Sequence, residues 1–167
     1  MKRINRVLII VLLVAFTLCA LVSCDDKPQA KQLTDLTLPT LKDGQAAVII
    51  KNGDNDYTSY TVTIDKVGEG DVVAEDVLTY LVEQAGLVID WADSTYGKYI
   101  NAIGGITLDA SKNQYIEVFT SNTDYQGTWA GVTTVEAGDV TLKSASVGVS
   151  ELGVANGDVI YFELASY

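Results

Sequence analysis

The chain has no histidine among its 167 residues. That absence removes imidazole general bases, Ser-His and Cys-His nucleophilic systems and the usual zinc and copper sites. Cysteine is almost as scarce. The only two, Cys19 and Cys24, lie near the N-terminus, so everything after them has neither a disulfide nor a free thiol. Hydrolytic chemistry would have to rest on carboxylates or a Ser-Lys pair, and an enzyme is not expected. Basic residues are also few: 11 Lys and Arg against 22 Asp and Glu give a net charge of −11. An acidic surface repels nucleic acid and anionic headgroups, leaving cations and neutral or basic ligands open.

No cofactor or metal motif fills the gap. Asp54, Asn55 and Asp56 carry the oxygen ligands of a calcium loop but lack the later bidentate Glu, and they read as a hairpin turn. Gly68-Glu69-Gly70 lacks the Gly-Lys-Ser/Thr ending of a phosphate cradle. Asp90 and Asp93 flank Trp91, and acidic neighbours in an acidic chain are usually solvated.

What is present begins at the N-terminus. Lys2, Arg3 and Arg6 precede an almost wholly apolar run from Val7 to Val22, too short and wrongly flanked for a settled membrane span. The run closes on Leu21-Val22-Ser23-Cys24, which resembles the lipobox of bacterial lipoproteins, where a small residue precedes a cysteine that is diacylated and becomes the first residue. Residues 1–23 are therefore expected to be a signal peptide cleaved after Ser23, with the lipid on Cys24. Cys19 is the weaker candidate because Leu18 is bulky. Cleavage removes three basic residues and no acidic one, leaving 144 residues with 8 basic against 22 acidic, a net charge of −14. Two acyl chains hold a protein on a membrane stably. The expected location is extracytoplasmic, anchored to the membrane.

Residues 24–45 hold both prolines, Pro28 and Pro39, among polar residues, and read as a flexible tether, with Leu36 and Leu38 able to dock as a short edge strand. Residues 46–167 are expected to form one domain. Ala46–Lys51 and the alternating Ser59–Asp65, on either side of the Asn52–Asp56 turn, make a candidate hairpin. Val73–Ala85 is the one convincing helix: Val77, Leu78, Leu81, Val82 and Ala85 share a stripe, Glu75 and Asp76 open it, and Gly86 closes it. Next comes Tyr96–Ile106, dense in Tyr, Ile and Gly, then a strand over Gln114–Thr120. A long irregular loop or a wide hairpin is expected over Asn122–Val135, then strands over Val140–Val149 and Val159–Leu164. One helix packed on a mostly antiparallel sheet of six or so strands, with hairpin extensions, makes the expected class α+β.

The ordered set of Val77-Leu78-Thr79-Tyr80-Leu81, Tyr96-Gly97-Lys98-Tyr99-Ile100, Ile103-Gly104-Gly105-Ile106, the Tyr115-led strand, Gly148–Leu152 and Gly157-Asp158-Val159-Ile160 covers roughly residues 57 to 165. It resembles the bacterial family of unknown function related to the C-terminal domain of transcobalamin and intrinsic factor. That resemblance implies a β-grasp-like fold and a ligand-binding module, with a corrinoid-like small molecule as one ligand. The chain departs from the vitamin carriers in having no helical partner before residue 46. It also has Tyr115–Asn122 where many relatives show a Tyr-Trp strand and a Val-Asn-Gly turn.

Aromatic side chains on loops make stacking surfaces. The candidate ligand-binding residues are Trp91, Tyr96, Tyr125 and Trp129, while Tyr99 reads as core. No catalytic residue, metal ligand or cofactor is expected. The leading function is non-covalent capture of a small molecule at the membrane. The rival is a structural or adhesive surface module that binds a protein or glycan, for instance by adding a strand to an open sheet edge.

Overall fold

A computed structural model describes residues 27–167. Ser23 and Cys24, and with them the expected signal peptide and lipid site, lie outside the described residues. Ten strands and one α-helix are present among those described: β1 Lys31–Leu33, β2 Gln45–Gly53, β3 Asp56–Thr63, α1 Ala74–Ala85, β4 Ile89–Ser94, β5 Gly97–Ile103, β6 Ile106–Thr107, β7 Gln114–Thr120, β8 Thr134–Ala137, β9 Val140–Ser144 and β10 Val159–Ser166.

Seven strands form one sheet in the order β1-β3-β2-β10-β7-β9-β8, and β4-β5-β6 form a second, smaller one. The large sheet is antiparallel except at its centre, where β10 runs parallel to β2 with Val159 opposite Ala47 and Phe162 opposite Ile50. It curls into a half-barrel and buries side chains on both faces. Residues of β2 alternate strictly. Ala46, Val48 and Ile50 point into a first core with Tyr60, Val62, Ile160 and Phe162, while Ala47 and Ile49 point into a second with Phe119, Leu142, Val159 and Tyr161. A strand buried on both faces is a continuous apolar run, as Ala46–Ile50 is.

The helix forms where its stripe predicts. Val77, Leu78 and Leu81 are buried in the first core, and Val82 turns outward. Its start is tied down by the segment before β10. Ala74 N–H donates to Leu152 O at 2.8 Å and Glu75 N–H to Val149 O at 2.9 Å, satisfying donors that a helix end leaves free. The Asp76 carboxylate accepts from Val73 N–H at 3.0 Å, and Gly86 ends the helix at φ 69°. The small sheet lies over the same core through Ile100, Ile103 and Ile106. Tyr99, expected in that core, faces outward next to Ile100.

The expected α+β, β-grasp-like class does not hold. Strand makes up 45% of the structure and helix 14%, and the single α-helix covers part of one face of a curled sheet. The opposite face is covered by the β8–β9 hairpin and by the segment before β2, not by helix. The shortfall came from β1, β6 and β8, of 3, 2 and 4 residues, which are too short to show a period of two.

The segment expected as a tether is part of this architecture from Lys31 onward. β1 pairs antiparallel with β3, Lys31 opposite Ser59, and Leu36, Leu38 and Leu41 pack on the second core.

Candidate functional site

The four candidate aromatics do not converge. Trp91 sits on β4 at a register shift and packs against the first core, with Lys98 Nζ 5.9 Å from its ring centroid. The same ammonium is 2.5 Å from Asp93 Oδ1, and that hydrogen bond holds Lys98 above its usual range. Tyr96 is in the β4–β5 turn, 87% exposed. This turn is held against α1 by Ser150, whose Oγ accepts from Lys98 N–H at 2.9 Å and donates to Glu75 at 2.5 Å. Gly97, at φ 91°, lets the backbone pass: a Cβ there would lie 2.6 Å from Ser150 Oγ.

Tyr125 belongs to a short 3-10 turn and is half-buried, its ring and hydroxyl against Gly153. Its carbonyl accepts from Ser146 N–H at 2.8 Å and Ser146 Oγ at 3.0 Å. Those bonds tie the 123–125 turn to the chain leaving β9.

Trp129 is different. It is 50% exposed and borders a groove of about 430 Å³ with Tyr115, Ile116, Glu117, Val118 and Thr133. Gly127 sets its position: a Cβ there would overlap the six-membered ring of the indole, so the ring lies directly on the backbone. Gly127 is itself fixed by its N–H donating to Ser144 O at 2.8 Å.

One wall of the groove is an open strand edge. β7 pairs with β10 from Gln114 to Thr120, but β9 reaches only Phe119 and Thr120. After Ser144 the chain turns away, giving β7 a last bond from Ala145 N–H to Val118 O at 2.8 Å. Glu117 faces the groove and accepts from Ser144 Oγ at 2.6 Å. Burial, and next the Glu117 charge, push the Tyr115 phenol above its ordinary range, and its ring stacks on Tyr167 at 4.9 Å.

A larger hollow of about 490 Å³ lies between β1, β3 and the end of α1. Three of its polar side chains are joined to one another, and Asp56 and Tyr60 also line it. Asn52 Nδ2 donates to Thr58 Oγ1 at 2.8 Å, Thr58 Oγ1 to Gln32 at 3.2 Å, and Gly105 N–H to Asn52 Oδ1 at 3.0 Å. The Trp129 groove keeps an exposed ring, a carboxylate and a strand edge.

Of the expected residues only Trp129 lines this groove. Tyr115, Ile116 and Glu117 belong to a strand that the alternation does reveal. That its edge is open depends on β9 leaving at Ser144, which no local pattern encodes.

No family model matches the chain, and no curated protein matches it. Fifteen solved chains are similar to it in three-dimensional arrangement. One, from Ruminococcus gnavus and named a "putative metal binding protein", is 15% identical, covers 74% of this chain and 97% of its own, and has a TM-score of 0.48. A likeness of that size carries no argument about ligand. Among the described residues, no three Asp, Glu, Cys or His side chains gather where they would hold a metal ion. No helix among them is long and apolar enough to cross a membrane.

Proposed function

We propose that the protein is a lipid-anchored extracytoplasmic binding protein that captures its ligand non-covalently in the groove beside Trp129. The observation that carries this reading is the half-exposed indole, held on Gly127 across from an open strand edge. Large rigid rings with one exposed face supply contact area at low entropy cost, and a groove of this volume falls in the range of small-ligand sites. The anchor is supported by the basic start, the apolar run and the Ser23-Cys24 junction.

Two measurements test the two halves. In a Trp91→Phe chain Trp129 is the only indole, and its fluorescence is titrated with cobalamin, cobinamide, haem and a glycan panel, with an inner-filter control for the coloured ligands. Saturable change supports the groove as the site. Cys24→Ser should move the protein from the membrane to the soluble fraction of cells, and unchanged membrane association would sink the anchor. The adhesive reading is favoured by one observation of its own, the unpaired half of β7.

A further inference from the structure

The free part of β7 has a chemistry that selects an occupant. In an antiparallel ladder successive residues present their backbone groups to opposite sides. The carbonyl of Val118 faces β9, where Ala145 N–H donates to it. The N–H and C=O of Ile116, two residues earlier, face the same way, beyond the reach of β9, which pairs only with Phe119 and Thr120. They open into the groove whose far wall carries Trp129 and Thr133. From Gln114 to Glu117 the open edge spans about 14 Å at roughly 3.4 Å per residue, room for four or five residues of an extended chain.

The other two open edges of this sheet are poorer templates. β1 has three residues, Lys31 and Gln32 among them, and β8 has four, and neither borders the Trp129 groove. Charge then narrows the partner. Glu117 is the only charged residue lining the groove, which contains no Lys or Arg, in a chain of net charge −11.

We propose that this edge accepts an extended peptide bearing Lys or Arg, which adds a strand beside β7. The peptide bonds the N–H and C=O of Ile116, sets a basic side chain toward Glu117 and places an apolar one against Trp129. The assignment rests on the groove being the binding site, and it names the class of ligand taken there.

The test is selection of a phage-displayed random heptapeptide library on the full chain, followed by synthesis of the recovered peptides and N-methylation of each backbone amide in turn. Strand addition predicts enrichment in Lys and Arg. It also predicts losses of about tenfold in affinity at alternate positions, with the positions between nearly unaffected, because only every second amide faces β7. Ile116→Pro removes the N–H that faces the groove and leaves the β10 ladder intact, so it should cost a similar factor at unchanged sheet content. If that variant fails to fold, the N-methyl scan reads the same bonds from the ligand side. A scan without alternation, or recovered peptides lacking basic residues, overturns the proposal. So does an empty selection accompanied by a saturable response of Trp129 to a glycan or corrinoid, which leaves the groove as a binding site for something else. An empty selection with a silent Trp129 removes both readings.

Discussion

Replacing Gly127 with alanine would move the one ring on which the groove depends. Gly127 is buried and is not among the positive-φ glycines, so its backbone accepts an alanine without conformational cost. The obstacle is the indole alone. A Cβ would lie 2.9 Å from Trp129 Cε3 and nearer still to Cζ3 and Cη2. Carbon atoms settle at about 3.5–4.0 Å, so the ring must retreat by roughly 1 Å or more. Trp129 is 50% exposed and free to swing outward. The stability cost therefore falls at the low end of overpacking, about 1 kcal/mol. With Trp91→Phe as the background, the displaced ring should show a red-shifted emission maximum and readier quenching by iodide. Urea unfolding should show the small loss, and Gly127→Ala in a Trp129→Ala chain should show none, a non-additivity of about 1 kcal/mol. Unchanged emission and quenching, or strictly additive losses, would refute the idea that Gly127 seats the indole.

Removing residues 27–41 takes away β1 and the three leucines packed on the second core, at roughly 1 kcal/mol each, so the urea midpoint should fall by an amount equivalent to about 3 kcal/mol. No loss would return the segment to the role of a spacer. Gly97→Ala combines φ 91° with a Cβ 2.6 Å from Ser150 Oγ and is expected to cost about 2 kcal/mol in the same assay. Ser150→Ala should rescue only part of it, since the φ remains. Tyr161 is buried and its hydroxyl donates to Glu163 at 2.9 Å; burial first, then that carboxylate, raises its pKa well above 10.0. The folded chain keeps the phenolic proton where the unfolded chain releases it, so this contribution is complete below pH 10.0 and is lost as pH rises beyond it, by up to about 1.4 kcal/mol per pH unit. Tyr161→Phe should flatten the decline in stability between pH 10 and 11, and an identical slope would contradict that assignment.

Local pattern located most of what a short stretch can encode. The stripe of Val77, Leu78 and Leu81, with Gly86 behind it, marked α1 to within a residue. The turn at Asp54 and Asn55 marked the β2–β3 hairpin. The class was misjudged because it depends on pairings that no stretch contains. Leu36, Leu38 and Leu41 look like scattered apolar residues in a polar segment until the second face of the sheet requires cover. Asn122–Val135 reads as a loop or a wide hairpin; most of it is irregular, and its end becomes β8 by pairing with β9. Trp129 was legible as a ring in an irregular segment. Its partner across the groove, the free edge at Ile116, was not, because the edge exists only where β9 departs.

The parallel pairing of β10 with β2 has a consequence for when the protein can fold. Lys51 on β2 meets Glu163 on β10 at 3.3 Å across 112 positions of sequence. The middle strand of the large sheet thus emerges in synthesis after both strands it pairs with, and long-range pairing of this kind is slow to form. A nascent chain short of Val159 has β2 and β7 as two raw edges, with Ile49 and Phe119 uncovered between them. Such a chain is prone to association but holds no finished sheet. If the chain is exported as it is made, this order of events keeps it threadable until β10 is through.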